Sequence, residues 1–118
     1  MQASPMLPHP AEATISRTKI QGYLLSDAHP LGQYKAAFFN QFGFRSDRWE
    51  LLADALRKHA LTNGVTARQD TVFGTRYTVQ GPLEAPDGRQ PNVRSVWFID
   101  AGGTVPRFVT AYPIRRTG

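Results

Sequence analysis

The sequence predicts an α+β domain in which three N-terminal helices pack on a four-stranded antiparallel sheet. Two observations lead to this prediction. Apolar residues recur at helical spacing in the first half of the chain, and after Gly64 the pattern changes to the alternation typical of strands. Helices that precede a run of strands are typical of an α+β fold, and short connectors between successive strands favour antiparallel pairing.

The chain of 118 residues is expected to form a single domain. Residues 1–13 contain three prolines and little that can pack, so they are predicted to be a disordered leader. The folded domain is therefore expected over residues 14–118.

The first two helices each have one apolar face. The first begins at Ser16 or Thr18 and carries apolar residues at i, i+3 and i+4: Ile20, Tyr23 and Leu24. The second is predicted over Gln33–Phe42 and ends at Gly43. Its buried stripe consists of three aromatic residues: Phe38, Phe39 and Phe42.

The third helix is predicted to be the longest. Ser46 is expected to cap its start, and Asn63-Gly64 to end it. We expect Trp49 to be buried against the sheet, because it shares a helical face with the apolar residues that follow it: Leu52, Ala53, Leu56 and Ala60.

Four strands are predicted in the second half of the chain: Val65–Phe73, Thr75–Leu83, Val93–Ile99 and Arg107–Ile114. If Gly102-Gly103 forms the turn between the last two, Trp97 lies opposite Phe108 and Ser95 opposite Thr110. One face of this pair then carries Ser95, Trp97, Thr110 and Tyr112. The other carries Arg94, Val96, Phe98, Arg107, Val109 and Ala111. A change of one residue in the loop would reverse this relation.

The composition limits the classes of function. The net charge is +5, and arginine greatly outnumbers lysine, whose three positions are Lys19, Lys35 and Lys58. Arginine favours bidentate contact with phosphate, so a polyanionic partner such as RNA fits this charge, although many basic proteins bind no nucleic acid. The absence of cysteine excludes disulfides, cysteine-based zinc sites and thiol catalysis.

The sequence does not indicate a membrane protein or a cofactor enzyme. No apolar run approaches the length of a membrane span, and the N-terminus lacks the pattern of a signal peptide. We expect a cytoplasmic protein, or an effector delivered to the cytoplasm of a target cell. No phosphate loop, dinucleotide fingerprint or zinc-protease motif occurs, so we expect no metal and no cofactor.

His29 and Lys35 are the first candidate site residues. His29 lies in a turn beside Pro30, and its ring either packs locally or acts as a general acid or base. Lys35 projects from the aromatic face of the second helix. Its amine either reaches the rim of the core or points at a phosphate.

The strands contribute the other candidates. Thr110 and Tyr112 are i, i+2, and with Ser95 and Trp97 they either bind a ligand or are ordinary strand residues. Arg76, Arg94 and Arg107 either form a phosphate-binding surface on the sheet or are separately solvated. Of these, Arg76 and Arg94 are candidate substrate-binding residues, as are Ser95 and Trp97.

The chain resembles a family of small bacterial domains of unknown function. The resemblance covers residues 17–114 and lies in the ordered motifs HPxGxxKAxFF, YxVxGxL, VW and TAYP, which begin at His29, Tyr77, Val96 and Thr110. This family has no activity that can be transferred to the chain.

The order of elements also resembles the barnase–EndoU–colicin–RelE class of ribonucleases, which occur as bacterial toxin modules. That resemblance implies RNA cleavage without a metal, by attack of a ribose 2′-hydroxyl on the adjacent phosphate. It implies His29 as acid or base, Lys35 or Arg76 as the cation, and strand hydroxyls from Thr110 and Tyr112. The class often uses a second histidine, for which only His59 remains.

The sequence therefore predicts a metal-independent endoribonuclease of bacterial toxin type, with an acidic immunity or antitoxin protein as a further partner. The alternative is a non-catalytic module that binds protein or nucleic acid in a toxin–antitoxin or phage-related system. Geometry separates the two, because an enzyme needs His29, Lys35 and the hydroxyls of Thr110 or Tyr112 in one cleft.

Overall fold

The computed structural model describes residues 5–26 and 33–114 of the chain. Helix α1 (Arg17–Lys19) continues directly into one π-helical turn (Ile20–Leu24). Helices α2 (Gln33–Gln41) and α3 (Trp49–Thr62) follow, and short 3₁₀ turns lie at Pro10–Glu12 and Ser46–Arg48. No helix in these two ranges is long and apolar enough to cross a membrane.

The strands follow the helices and form one antiparallel sheet in the order β1-β2-β3-β4. Their bounds are Val65–Thr71 for β1, Gly74–Pro82 for β2, Asn92–Asp100 for β3 and Arg107–Pro113 for β4. The prediction of an α+β fold with four antiparallel strands is confirmed. Each strand lies within two residues of its predicted bounds, because alternation and turn residues mark strands well.

The core lies on one side of the sheet, which we call the inner face. Helix α3 buries four apolar residues there: Leu52, Ala53, Leu56 and Ala60. Strands β2, β3 and β4 contribute six buried residues on this face: Tyr77, Val79, Val93, Trp97, Phe108 and Ala111. Trp97 is fully buried and meets the Phe108 ring edge-to-face at a centroid distance of 5.4 Å.

A buried polar chain joins α3 to the sheet. His59 lies between the Ser95 hydroxyl, 2.9 Å from Nδ1, and the Gly81 carbonyl, 3.0 Å from Nε2. Since a carbonyl only accepts, Nε2 carries the proton and Nδ1 accepts from Ser95. The Trp97 indole donates to the same hydroxyl at 2.8 Å. Burial lowers the pKa of His59, although hydrogen bonds to the Gly81 and Val93 backbone oppose that effect.

The prediction of a disordered leader is wrong for residues 5–13. Leu7 is 1% exposed and belongs to the core, and Ala13 is buried as well. The Val65 amide donates to the Pro5 carbonyl, so the segment is held at the start of β1. A single leucine in a proline-rich stretch has no periodicity, which is why its burial could not be read from the sequence. Residues 1–4 lie outside the described ranges.

The third helix begins later than predicted. Ser46 starts a 3₁₀ turn and caps nothing with its side chain, and α3 starts at Trp49. The expected burial of Trp49 is only half realised, because it lies at the first turn of the helix and at the margin of the core. Its ring lies 5.9 Å from the Arg17 guanidinium.

The register between β3 and β4 contains a β-bulge. Trp97 pairs with Phe108 as predicted, but Val96 pairs with Thr110, so Val109 is an extra residue in β4. Ser95 therefore lies opposite Ala111, and the prediction that it lies opposite Thr110 is wrong. The bulge puts Thr110 and Tyr112 on the side of the sheet opposite Trp97, which we call the outer face.

Candidate functional site

A cleft of about 520 Å³ lies between α1 with its π-helical turn, α2 and the edge strand β4. We call it the lysine cleft. Seven residues line it: Thr18, Lys19, Gly22, Tyr23, Lys35, Val109 and Thr110. A cleft of this size is in the range of sites that bind small molecules.

Lys35 reaches from α2 to the outer-face residues of β4. Its amine donates to the Tyr23 hydroxyl at 2.7 Å and to Thr110 Oγ1 at 3.1 Å. It also lies 4.8 Å from the centre of the Tyr23 ring and 5.8 Å from that of Tyr112. Of the four predicted catalytic residues, the structure thus brings Lys35, Thr110 and Tyr112 together.

Lys19 provides a second amine in the lysine cleft. Its Nζ donates to the Val109 carbonyl at 3.0 Å, next to the residue that Lys35 contacts. Val109 is the extra residue of the bulge, whose backbone is not used in the ladder with β3. Burial lowers the pKa of Lys19, and the Arg107 charge lowers it further, whereas Tyr23 raises it.

The π-helical turn aligns the first helix with the cleft. The Leu25 amide donates to the Ile20 carbonyl at 2.8 Å, which is the i, i+5 bond of a π-helix. Ile20 and Leu24 are fully buried on one side of this segment. Lys19 and Tyr23 are four residues apart and line the cleft from the other side. Such turns occur frequently at functional sites.

The outer face of the sheet adjoins the lysine cleft and is basic. Arg94 pairs with Tyr112, and Arg76, Phe98 and Arg107 form a row across β2, β3 and β4. The three predicted arginines therefore share one face of the sheet.

The three arginines differ in their contacts. Arg94 donates to Gln80 at 3.0 Å, and Arg107 pairs with Asp100 at 3.1 Å while lying over the Phe98 ring. Arg76 is exposed and has no hydrogen-bonding or ionic partner in the described part of the chain. It is therefore available to a polyanion.

Two predicted substrate-binding residues do not reach this site. Ser95 and Trp97 are both fully buried on the inner face, where they bond each other and His59. Their assignment to a ligand is wrong, because the bulge reverses their relation to Thr110. His59 is 1% exposed and has both ring nitrogens engaged, so it cannot act as a second acid or base there.

His29, the fourth predicted catalytic residue, lies outside the described residues. Among residues 5–26 and 33–114, no group of three histidine or acidic side chains could hold a metal ion.

Lys19 and the role of Tyr23 in this site were not predicted from the sequence. Tyr23 was assigned to an apolar face, although its hydroxyl accepts from Lys35. A signal was present, because Lys19 and Tyr23 share a helical side with Gly22, and the opposite side carries the buried residues. The carbonyl that holds Lys19 depends on the bulge, which no pattern in the sequence marks.

A family model described as a domain of unknown function, DUF6883, matches residues 6–115. The chain belongs to the DUF6883 family. The expected membership of a family of unknown function is thereby confirmed, and the match includes most of the segment predicted to be a leader. No curated protein matches the sequence significantly.

The fold of this DUF6883 domain is similar to that of a solved structure. One chain of a "Contact-dependent growth inhibition toxin - immunity protein complex from Klebsiella pneumoniae 342" superimposes with a TM-score of 0.70 at 16% identity. The match covers 86% of the DUF6883 chain and 99% of the other. At this identity the likeness concerns the fold.

Proposed function

We propose that this DUF6883 domain is a toxin module that cleaves RNA without a metal ion. One observation carries the proposal: the Lys35 amine lies against the Thr110 hydroxyl and beside the Tyr112 ring, at the border of a basic sheet face. A phosphodiester needs cations and hydroxyl donors at one place, because its cleavage builds negative charge on phosphorus-bound oxygens.

The proposed reaction is transfer of the phosphoryl group to the neighbouring ribose. The 2′-oxygen bonds to phosphorus and loses its proton to a base, while the bond from phosphorus to the 5′-oxygen breaks and that oxygen takes a proton from an acid. The products are a 2′,3′-cyclic phosphate and a 5′-hydroxyl. Lys35 stabilises the charge of the transition state, and Thr110 and Tyr112 donate hydrogen bonds.

His29 is the proposed acid or base, as the resemblance to metal-independent ribonucleases implies. It belongs to the segment that joins Ser26 to Gln33, and thus connects the two helical elements that line the lysine cleft. Arg76 and Arg94 are proposed to bind phosphates on either side of the reacting one.

Two further observations support a toxin role. The fold is that of a chain from a toxin–immunity complex, and the net charge of +5 suits both RNA and an acidic inhibitor. We propose an acidic immunity or antitoxin protein as the partner, and the cytoplasm, of the producing or of a target cell, as the place of action.

A binding module without catalysis is the second candidate. One observation favours it: among the described residues that line the lysine cleft there is no imidazole and no carboxylate. Without His29 the cleft could bind a phosphate but would lack an acid or base of ordinary pKa near neutrality.

Cleavage of total RNA in EDTA tests the proposal, with Lys35→Ala, His29→Ala and Lys58→Ala beside the unmodified chain. Lys58 is the matched control, since its amine pairs with Glu84 at 2.6 Å outside the lysine cleft. We expect Lys35→Ala to lower the rate of cleavage about 100-fold or more, as loss of one charge-stabilising group commonly does.

His29→Ala is expected to lower the rate by a similar factor, and Lys58→Ala to leave it within about twofold. RNA that stays intact with the unmodified chain refutes catalysis and favours the binding module. Cleavage that survives Lys35→Ala refutes the site.

A further inference from the structure

The two amines of the lysine cleft have only neutral partners among the described residues. Lys35 contacts two hydroxyls and two ring faces, and Lys19 contacts a backbone carbonyl. The chain has one further lysine, Lys58, and its amine pairs with a carboxylate. Within residues 5–26 and 33–114, the two cleft lysines therefore differ from the third in that neither amine contacts a carboxylate.

The amines also have hydrogen-bond donors to spare. An ammonium group carries three N–H donors. Lys35 uses two of them on Tyr23 and Thr110, and Lys19 uses one on Val109. Within the described part of the chain, one donor of Lys35 and two donors of Lys19 thus remain for a ligand.

Both amines are anchored to adjacent residues of β4. Lys19 bonds to the carbonyl of Val109, and Lys35 bonds to the side chain of the next residue, Thr110. No carboxylate lies among the described residues that line the cleft. Two positive charges that line one cleft, with no carboxylate among its described residues, favour the binding of an anion.

We propose that Lys19 and Lys35 form a two-ammonium site for the non-bridging oxygens of one phosphodiester. Lys19 is then a substrate-binding residue that the ribonuclease proposal does not contain. The assignment of the phosphodiester to RNA rests on the proposed function, whereas binding of the anion does not.

The dimensions of the cleft favour a phosphate ester over a free anion alone. Its volume of about 520 Å³ exceeds what inorganic phosphate fills. The Tyr23 ring forms part of its wall, so an apolar sugar or base surface has an aromatic surface to contact. We therefore expect a dinucleotide to bind more tightly than inorganic phosphate does.

A purely structural role for Lys19 makes a different prediction. In that case its bond to the Val109 carbonyl fixes α1 to the sheet edge, and its loss lowers stability without changing anion affinity. Affinity and stability must therefore be measured separately on the same variants.

Titration by isothermal calorimetry or NMR tests the site, with inorganic phosphate and a deoxydinucleoside monophosphate as probes. The deoxy compound lacks the 2′-hydroxyl and cannot be cleaved by 2′-attack, so binding is measured without catalysis. Variants Lys19→Met, Lys35→Met and Lys58→Met remove the three amines in turn, and each is melted to verify folding.

We expect Lys19→Met and Lys35→Met each to weaken dinucleotide binding about tenfold or more, because each removes charge-assisted hydrogen bonds. Lys58→Met should stay within about twofold, and Lys19→Arg should recover most of the affinity because it retains the charge. Equal affinity of Lys19→Met and the unmodified chain overturns the proposal.

If Lys19→Met does not fold, the unmodified chain decides the matter. The NMR signals of the Lys19 and Lys35 side chains must then shift on addition of the dinucleotide while those of Lys58 do not, and unchanged signals overturn the site. Dinucleotide binding without any RNA cleavage refutes only the proposal of ribonuclease activity. RNA cleavage whose rate is insensitive to Lys19→Met refutes only the proposal of the two-ammonium site.

Discussion

Replacement of His59 by alanine is expected to lower the free energy of unfolding by about 3–5 kcal/mol. The imidazole makes a buried hydrogen bond to Ser95 and a partly buried one to the Gly81 carbonyl. A buried polar group that loses its partner costs about 1–3 kcal/mol, and here two groups are affected. The cavity left by the ring adds to that cost.

Urea unfolding followed by circular dichroism measures this loss, with His9→Asn as the matched control. His9 has a side chain that is 55% exposed and pairs with exposed Glu12. Asparagine tolerates its positive φ of 47°, so this change should alter stability by about 0.5 kcal/mol or less. A loss below about 1 kcal/mol for His59→Ala would show that the polar chain to Trp97 does not stabilise the fold.

The pH dependence of stability gives a second measurement on the same residue. Burial lowers the pKa of His59 in the folded chain, so the unfolded chain binds more protons below its own pKa of about 6.5. Stability is then fully present above about pH 6.5 and falls as the pH decreases toward the folded pKa. The slope from this group is at most about 1.4 kcal/mol per pH unit and should disappear in His59→Ala. A slope that persists unchanged in the variant would refute the assignment.

Two further predictions concern the N-terminal segment and the outer face. Leu7→Ala should lower the free energy of unfolding by about 2–5 kcal/mol in urea titrations, because Leu7 is 1% exposed. A loss under about 0.5 kcal/mol would instead support the prediction of a disordered leader. Arg76→Ala should leave stability unchanged. It should reduce the slope of log affinity for RNA against log salt concentration by the amount expected for about one phosphate contact. Its control is Arg68→Ala, which removes an arginine stacked on inner-face Tyr77. An equal effect of both variants on RNA binding would argue against the outer face as the RNA-binding surface.

The sequence was sufficient to predict the strands and the position of Lys35. Alternation in β2 separates Arg76, Thr78 and Gln80 from Tyr77 and Val79, which are buried. Lys35 could be identified because a charged residue at helical spacing from three phenylalanines must leave the core at its edge.

The rest of the site depends on the register between strands, which the sequence pattern of a single strand does not determine. The bulge at Val109 results from how β4 meets β3, and it decides which face receives Thr110. Sequence alternation alone assigned Thr110 to the side of Trp97, because it assumes one residue opposite one residue. Leu7 and Lys19 were missed for a related reason, because each is fixed by a contact distant in sequence.

The bulge allows one edge strand to serve both the core and the site. In β4, Phe108 and Ala111 are buried on the inner face, three positions apart, which a regular strand could not achieve because its faces alternate. The extra residue between them, Val109, shifts the alternation of faces by one position, so that Thr110 and Tyr112 face outward beside Arg94. The same residue offers the carbonyl that holds Lys19. A single irregularity of the backbone thus positions a hydroxyl and two amines at the lysine cleft while the core remains closed behind it.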